Sequence, residues 1–332
     1  MASWRGWWVS RASGAADAPA RIELRTDLDD EVLGDDLVTV DVEYSSLNYK
    51  DALALTGRPG IVRSPALIPG IDLVGTVARS DDPAFAPGDR VLVNGRGLGE
   101  THHGGLAERA RVPADFLVPV PSSMSSLRAA AIGTAGFTAM LAVLALERAG
   151  STDEVVVTGA SGGVGSIAVA VLARLGHRVT AVTGRGAEHD RLRALGAADI
   201  LERSAFEEPG KPLQSQRWGG AVDTVGGGIL ATLLAQMRYG STVAACGNAN
   251  SSSSTVSLMP FILRSVTLAG INSVETPREL RLEAWRRLDR DLDPALLDDL
   301  TTVVPLADAV ATAEALLDGR GHGRAVVDVT AR

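Results

Sequence analysis

The sequence predicts an α/β protein with two domains, one of them built on a doubly wound parallel sheet. Three observations support this. The chain of 332 residues is longer than most single domains. Its first third carries short, turn-bounded apolar segments typical of strands, whereas from Val155 onward strands and helices alternate strictly. Such alternation is typical of βαβ units and a parallel sheet.

The first third is β-rich and ends in a long helix. Leu37–Tyr44 alternates apolar and polar residues, which is the period of a half-buried strand. Leu73–Ala78 and Arg90–Val93 are short apolar strands beside Pro and Gly turns. The alanine-rich segment Ser126–Ala149 predicts the helix. The three tryptophans among the first eight residues are interpreted as packing a first strand.

The alternating region continues to the serine run Ser251–Thr255, interpreted as a surface loop. Its predicted strands are Val155–Thr158, Arg178–Thr183, Ala221–Val225 and Thr242–Cys246, and its predicted helices are Val164–Leu175, Glu188–Leu195 and Ile229–Met237. The last part of the chain predicts helices at Glu279–Asp289 and Leu306–Leu317 and a closing strand at Ala325–Val329.

Composition excludes several classes of protein. The formal net charge is −8 and there is no basic run, which disfavours nucleic-acid and anionic-membrane partners. The single cysteine, Cys246, excludes an internal disulfide and a cysteine-rich zinc site, and fits a reducing compartment. Arg174 and Glu147 interrupt the longest apolar stretches, and the N-terminus has no unbroken apolar region. We therefore expect a cytoplasmic protein without a membrane span or signal peptide.

A glycine-rich turn, Gly159–Gly165 (GASGGVG), follows a predicted strand and precedes a predicted helix. Such a turn brings backbone N–H groups and a helix N-terminus to a pyrophosphate. The turn also satisfies G-x-S-x-G, the nucleophile elbow of serine hydrolases, with Ser161 as nucleophile. Asp223 and His322 follow in the hydrolase order, and His103-Gly104-Gly105 supplies a candidate oxyanion loop. A purely structural glycine turn is the third interpretation.

The next predicted strand favours the dinucleotide interpretation. It ends Thr183-Gly184-Arg185 and carries no acid before Glu188, whereas an NAD site usually places an acidic residue there. Thr183 is a hydrogen-bond donor and Arg185 pairs well with a phosphate. Arg185 alone is also consistent with a solvated charge in a loop. Its distance along the sequence from the glycine turn favours contact with a 2′-phosphate, and therefore NADPH over NADH.

Motifs throughout the chain from about Leu37 resemble the medium-chain dehydrogenase/reductase superfamily. The segments that carry this resemblance are Ser45–Asp51 (SSLNYKD), Ile68–Gly75 (IPGIDLVG), Pro87–Val91 (PGDRV), Gly99–Glu108 (GETHHGGLAE), Ile132–Ala139 (IGTAGFTA) and Met259–Arg264 (MPFILR). Together they resemble its zinc-independent, quinone-oxidoreductase-like branch, which includes acrylyl-CoA reductases.

The resemblance implies a GroES-like β-barrel catalytic domain over residues 1–122, completed by a return segment over 272–332. It implies a Rossmann NADPH-binding domain over 123–271 and a homodimer paired through edge strands near Val266–Asn272. Zinc-bearing relatives place a Cys near Asn48 and Gly-His-Glu near Gly70. Because this chain has Asn48 and Gly70-Ile71-Asp72 there, and because one Cys without paired His cannot form a usual zinc shell, no metal is expected.

The resemblance implies NADPH-dependent reduction of an activated C=C bond, with acryloyl-CoA to propanoyl-CoA first and reduction of small quinones second. A serine hydrolase using Ser161 and a non-catalytic NADPH-binding regulator are the alternatives from other classes. Reduction of an enoyl thioester requires donors for the enolate oxygen and a proton for the α-carbon. The predicted catalytic residues are Asn48, Tyr49 and Asp51. Asn48 and Tyr49 are predicted to line the nicotinamide pocket, and Asp51 is predicted to orient groups or relay protons. Taken alone, Asp51 is equally consistent with an acid at the start of a helix, where the helix dipole stabilises it. Tyr49 taken alone is also consistent with a core aromatic residue.

The cofactor residues predicted from the resemblance fall into three groups. Ser161, Gly162, Gly163 and Val164 are assigned to the pyrophosphate, Thr183, Gly184 and Arg185 to the adenosine phosphate, and Arg203, Asn248, Ile262 and Ser273 to other parts of the cofactor. Coenzyme A phosphates require a local basic patch, for which the candidates are Arg58, Arg63 and Arg324. His102 and His103 are interpreted as loop-packing residues, with metal binding or general-base catalysis as the alternative.

Overall fold

The computed structural model describes residues 3–11, 20–150, 154–207 and 210–332. The chain packs into two compact units. The first comprises Met1–Thr134, Ser273–Leu282 and Leu297–Arg332, and the second comprises Ala135–Asn272 and Glu283–Leu296. The predicted α/β fold, with an antiparallel unit and a parallel-sheet unit, is confirmed.

Strands occupy both ends and the middle of the chain. They are β1 (Trp4–Ser10), β2 (Arg21–Leu28), β3 (Val38–Leu47), β4 (Ala66–Leu67), β5 (Asp72–Ser80), β6 (Arg90–Asn94), β7 (Arg109–Val112), β8 (Val118–Pro119), β9 (Glu154–Thr158), β10 (Arg178–Thr183), β11 (Ala197–Glu202), β12 (Trp218–Asp223), β13 (Met237–Ala245), β14 (Thr267–Gly270), β15 (Thr301–Pro305) and β16 (Arg324–Asp328).

Helices are concentrated after residue 125. They are α1 (Tyr49–Leu55), α2 (Ser126–Arg148), α3 (Gly163–Arg174), α4 (His189–Ala194), α5 (Ser204–Glu207), α6 (Gly227–Ala235), α7 (Met259–Arg264), α8 (Arg278–Asp291), α9 (Pro294–Leu300) and α10 (Ala309–Leu317).

The first unit is built on a seven-stranded sheet in the order β15-β16-β3-β5-β6-β8, with β7 also paired to β3. β3 pairs antiparallel with β16, β5 and β7. Its alternating residues Val38, Val40 and Val42 are buried, as the sequence period predicts. A second sheet, β2-β1-β4, contains the tryptophan-rich strand, and Trp7 Nε1 donates to the Leu306 carbonyl at 2.7 Å. The end of the chain is thereby joined to its beginning.

The second unit is a six-stranded sheet in the order β11-β10-β9-β12-β13-β14, and every pair in it is parallel. The order runs outward from β9 in both directions, as in a doubly wound sheet. β9 is followed by the glycine turn and then α3, so the turn lies at the carboxyl end of a central strand. Val156, Ala221 and Val243, on three adjacent strands, are fully buried in its core.

Helix α2 contains a longer apolar stretch than the sequence analysis predicted. It is long and apolar enough to cross a membrane by composition, so the expectation that no apolar stretch has that length is wrong. Burial covers 89% of its most apolar window, as in the core helix of a globular protein. The helix is also interrupted at Gly133, whose φ of 49° and ψ of −159° are not helical.

The compact units differ from the predicted domain division in the last sixty residues. The sequence assigned all of 272–332 to one return segment, whereas Glu283–Leu296 packs with the second unit. Ion pairs explain this, since Arg287 Nη2 lies 2.6 Å from Glu147 Oε1 and Arg148 Nη2 lies 2.8 Å from Glu283 Oε2. Glu147 and Arg148 end α2, and their partners lie on α8.

Candidate active site

A buried cluster of polar side chains in the first unit is centred on Asp72, the first residue of β5. Its carboxylate accepts from Ser46 Oγ at 2.6 Å, from Asn48 Nδ2 at 2.7 Å and from Asn94 Nδ2 at 2.7 Å. Thr134 adds two more donors, its backbone N–H at 2.9 Å and its hydroxyl at 2.6 Å. Asp72 is 1% exposed. Five donors on two oxygens fix this side chain in one orientation.

Asn48 connects this cluster to α1. Its Nδ2 donates to Asp72 Oδ2 and also lies 3.1 Å from Asp51 Oδ2, and its backbone N–H donates to the same Asp51 oxygen at 2.8 Å. Its Oδ1 accepts from Arg324 at 3.4 Å. Both ends of the amide are therefore engaged by the protein, which makes Asn48 a residue that holds others in position.

Asp51 is the second buried carboxylate of the cluster, at 1% exposure. Its Oδ1 accepts from the Ile71 N–H at 2.8 Å. Burial, and then the neighbouring charge of Asp72, raise the pKa of Asp51 to about 7, while the hydrogen bonds from Asn48 and Ile71 oppose the rise. Asp51 is also the acid in the first turn of α1, as its interpretation as a helix-start acid predicts.

Arg324 is an interior residue, and this corrects its assignment as a candidate for phosphate binding or a surface charge. It is 3% exposed, its Nε donates to the Ala131 carbonyl at 2.8 Å and its Nη2 donates to Ser46 Oγ at 3.1 Å. Burial lowers the pKa of its guanidinium, while Asp72 and Asp51 oppose this. A Cβ at Gly133 would lie 2.9 Å from Arg324 Nη2, so the interruption of α2 leaves room for this head group.

Tyr49 and Lys50 lie outside the buried cluster although they adjoin Asn48 in sequence. Tyr49 is 60% exposed, so its interpretation as a core aromatic is wrong. Lys50 Nζ donates to Glu100 Oε1 at 2.7 Å, and Arg63 Nη2 lies 3.6 Å from the other Glu100 oxygen. Glu100 thereby ties the loop after β6 to α1.

His103 has a packing role in the structure. Its ring stacks on Trp8 with centroids 5.6 Å apart, and its Nδ1 accepts from the Ile68 N–H at 3.1 Å. Burial lowers the pKa of its imidazole. His102 instead lies edge-to-face with Phe116, at 5.4 Å.

The glycine turn of the second unit has no room for a side chain at Gly159 or at Gly165. Gly159 has φ of 60°, and a Cβ there would lie 2.2 Å from Thr224 Oγ1. A Cβ at Gly165 would lie 2.3 Å from the Gly159 carbonyl. Gly162, Gly163 and Val164 form the start of α3, of which Gly162 is the N-cap. Close packing therefore requires glycine at both positions, and the N-terminus of α3 that follows the turn suits a phosphate.

The residues predicted for the adenosine phosphate lie together at the ends of two neighbouring strands. Ser161 Oγ lies 3.0 Å from Thr183 Oγ1, and that hydroxyl accepts from the Arg185 N–H at 3.1 Å. A Cβ at Gly184 would lie 3.2 Å from Arg203 Cζ, so the Arg203 head group covers Gly184. Arg203 Nε also donates to Glu207 Oε1 at 2.7 Å. The glycine turn and these groups fit an anionic nucleotide.

The remaining predicted cofactor residues are more dispersed. Asn248 is exposed after β13, and Ile262 is 70% exposed on α7. Ser273 belongs to the first unit, where its carbonyl accepts from Arg281 Nη2 at 3.0 Å.

The elements of the serine-hydrolase interpretation have other partners. Ser161 pairs with the Thr183 hydroxyl. Asp223 is fully buried and accepts from Thr158 Oγ1 and from the Gly226 N–H at 3.0 Å. Burial, and then the charge of Asp223, raise the pKa of the adjoining Cys246 thiol to about 12, which keeps it protonated. Asp223 therefore organises the end of β12.

Within the described parts of the chain, no three His, Cys, Asp or Glu side chains are grouped so as to hold a metal ion. Asn48, at the position where a Cys is expected in zinc-bearing relatives, donates to Asp72, the third residue of the Gly70-Ile71-Asp72 motif.

Two family models match the chain: the alcohol dehydrogenase GroES-like domain over residues 34–122 and the zinc-binding dehydrogenase domain over 163–290. A probable acrylyl-CoA reductase AcuI of Escherichia coli is 52% identical over 305 residues, covering 91% of this chain and 94% of that protein. The chain belongs to the medium-chain dehydrogenase/reductase superfamily. It is an oxidoreductase of that superfamily.

Other relatives extend the likeness. A putative quinone oxidoreductase YhfP of Bacillus subtilis is 44% identical over 305 residues, covering 90% of this chain and 92% of that protein. The crystal structure of the yhdH oxidoreductase from Salmonella enterica in complex with NADP has a TM-score of 0.93 and 49% identity, covering 98% of this chain and all of that one.

Proposed function

We propose that this protein reduces an activated C=C bond with NADPH, converting acryloyl-CoA to propanoyl-CoA. The observation that carries the proposal is the 52% identity to a probable acrylyl-CoA reductase over nine-tenths of the chain. The glycine turn and the Thr183-Gly184-Arg185 segment support NADPH as the cofactor. The structure of a similar protein in complex with NADP supports the same cofactor. NADPH supplies the hydride when it is bound.

The chain's own residues suit the remaining needs of this reaction. Negative charge develops on the thioester oxygen, and the α-carbon takes up a proton. Tyr49 offers an exposed phenolic donor and Lys50 a cation fixed by Glu100. We assign Asn48 and Asp51 to holding α1 and these two residues in place, because their polar atoms are engaged with Asp72, Arg324 and the backbone.

The test is NADPH oxidation by the purified protein with acryloyl-CoA and benzoquinone in parallel, and with NADH as the cofactor control. The proposal predicts a kcat/KM for acryloyl-CoA that greatly exceeds that for benzoquinone. NADPH binding without turnover of either acceptor would instead support a non-catalytic regulator. Labelling of Ser161 by an active-site phosphonate would support a hydrolase.

Quinone reduction is the second candidate function, favoured by the 44% identity to a putative quinone oxidoreductase. A small quinone lacks the phosphates of coenzyme A and needs no basic patch. Turnover of benzoquinone alone would select this function and leave the NADPH assignment intact.

We also propose a cytoplasmic homodimer paired through β14. This strand is the last of the six-stranded sheet, so one of its edges is unpaired within the described chain. Leu268 on this strand is 39% exposed, and Ile262 and Leu263 on α7 are 70% and 54% exposed. An open edge beside apolar side chains suits a second copy of the same strand.

A further inference from the structure

We infer that Arg96 forms a binding site for a phosphate group of the acyl-CoA substrate. The inference rests on the proposed function for the identity of the ligand. Three observations in the first unit support it independently: the backbone conformation of Arg96, a buried donor on its side chain, and a neighbouring cation.

The backbone at Arg96 is strained. It has φ of 56° in the left-handed region, which residues other than glycine rarely adopt, and it lies between Gly95 at 69° and Gly97 at 79°. A glycine at position 96 would remove this strain. An arginine kept in a conformation that costs folding free energy indicates a function for its side chain.

The Arg96 side chain has a place to stack but an incomplete set of hydrogen bonds. Its Cζ lies 5.7 Å from the centroid of the Phe116 ring. Its Nε is buried and has no hydrogen-bond partner in the part of the chain that the structure describes. Phe116 is in turn held edge-to-face by His102. The protein thus positions the guanidinium without satisfying it, which is a feature that an anionic ligand would complete.

The guanidinium of Arg281 is a second positive charge that acts on Arg96. Arg281 is 1% exposed, and its Nη1 donates to the Asn94 carbonyl, two residues before Arg96, at 2.8 Å. Burial, and then repulsion by Arg96, lower the pKa of Arg281 to about 10, while the carboxylates of Asp72 and Glu275 oppose this fall. An anion bound at Arg96 would relieve this repulsion, and a planar guanidinium is suited to phosphate.

Two of the other candidate arginines, Arg324 and Arg63, are less available than Arg96. Arg324 is interior. Arg63 shares Glu100 with Lys50, so a carboxylate already offsets part of their charge. The loop after β6 connects Arg96 to the Lys50–Glu100 ion pair, because the Gly97 carbonyl accepts from the Glu100 N–H at 3.1 Å. One loop therefore carries Arg96 and fixes Lys50, and a ligand anchored at Arg96 would lie beside α1.

The test compares the unaltered protein with Arg96→Asn, because asparagine tolerates the left-handed region and carries no charge. Loss of one charge-assisted hydrogen bond predicts about a tenfold weaker Kd for coenzyme A by calorimetry, and a KM for acryloyl-CoA raised by about the same factor. We expect kcat, the KM for NADPH and the kcat/KM for benzoquinone to stay unchanged. Arg96→Lys should restore part of the affinity, and the matched control Arg79→Asn, an exposed arginine paired with Asp81, should change none of these values.

The outcomes separate this inference from the proposed function. An unchanged Kd for coenzyme A in Arg96→Asn overturns the site whether or not acryloyl-CoA is a substrate. A weakened Kd in a protein that does not reduce acryloyl-CoA supports the site and rejects the reaction. A raised KM for NADPH with both acceptors would show that the phosphate is the cofactor's and would overturn the substrate assignment. Acryloyl-pantetheine, which lacks the nucleotide phosphates, should have the same KM in both proteins.

Discussion

Asn48 donates through Nδ2 to Asp72 Oδ2 at 2.7 Å, and both residues are bound to the buried Arg324, Asn48 directly and Asp72 through Ser46. An amide and a buried carboxylate thus form a hydrogen-bonded pair within the first unit. The cation in this part of the fold is a guanidinium of the chain itself. The cluster is therefore part of the folded core, and disrupting it should lower the free energy of unfolding.

Asp72→Asn should strongly destabilise the protein. The substitution places an amide NH₂ among five donors and removes one of the two buried carboxylates that act on Arg324. Leaving buried donors without an acceptor costs about 1–3 kcal/mol for each donor. Urea unfolding measures this loss. Asp81→Asn, which alters an exposed pair with Arg79, should change the free energy of unfolding by under about 1 kcal/mol.

The raised pKa of Asp51 predicts a pH dependence of stability. Its folded pKa of about 7 lies above the ordinary value of 3.8 for an aspartate, so between these values the folded protein binds the proton that the unfolded chain has lost. This contribution to stability is therefore full below about pH 4 and declines as the pH rises towards 7. Unfolding in urea from pH 4 to 7 should show a slope of up to about 1.4 kcal/mol per pH unit that is absent from Asp51→Asn. Equal slopes for the two proteins would contradict the shift.

The alternation of strands and helices in the parallel-sheet unit could be predicted from the sequence, although β12 and β13 begin three and five residues before their predicted starts. The strand Arg178–Thr183 matches the prediction, and α3 begins and ends within one residue of it. Local signals suffice there because strand, glycine turn and helix are consecutive. The strands β2, β4, β7, β8, β11 and β15 were not predicted. β11, with its mostly exposed or half-buried residues, lies at the edge of its sheet and has little apolar pattern.

The Asp72 cluster could not be predicted as a unit. Thr134 reaches Asp72 from 62 residues away, and Arg324 reaches Asn48 from 276 residues away. No local pattern distinguishes a buried arginine from a surface one, so Arg324 was assigned to phosphate. The motif Gly70-Ile71-Asp72 was noticed as the place of a missing metal ligand, yet the use of Asp72 as a shared acceptor depends on tertiary contacts alone.

Arg185→Ala should weaken NADPH binding far more than NADH binding. The side chain is placed by the bond from its own N–H to the Thr183 hydroxyl, and a 2′-phosphate is the group for which a guanidinium discriminates. Fluorescence titration should give a Kd for NADPH raised by about 10- to 100-fold, as expected for a charge-assisted hydrogen bond. Arg193→Ala, on the exposed side of α4, is the control. Equal losses for NADPH and NADH would overturn the assignment to the 2′-phosphate.

Gly165→Ala should impair both folding and NADPH binding. The added Cβ would lie 2.3 Å from the Gly159 carbonyl and 2.7 Å from Ala160 Cα, so the turn must move away from α3. Thermal unfolding should show a lower Tm, and NADPH titration a weaker Kd. Gly228→Ala is the control, since its Cβ would meet only the Glu207 carbonyl, at 3.9 Å, and alanine favours the helix. A Gly165→Ala protein with parental Tm and Kd would show that the turn is not closely packed.

Leu268→Lys should convert the proposed homodimer to a monomer. Leu268 lies on β14, the strand with an open edge, and is 39% exposed, so a charge there opposes pairing with a second copy without entering the core. Light scattering coupled to size exclusion measures the mass of each protein against the 34.5 kDa of one chain. Val303→Lys is the control, because Val303 is 46% exposed on β15, at an edge of the other unit's sheet. If Val303→Lys alone dissociates the dimer, the copies pair through the first unit instead of β14.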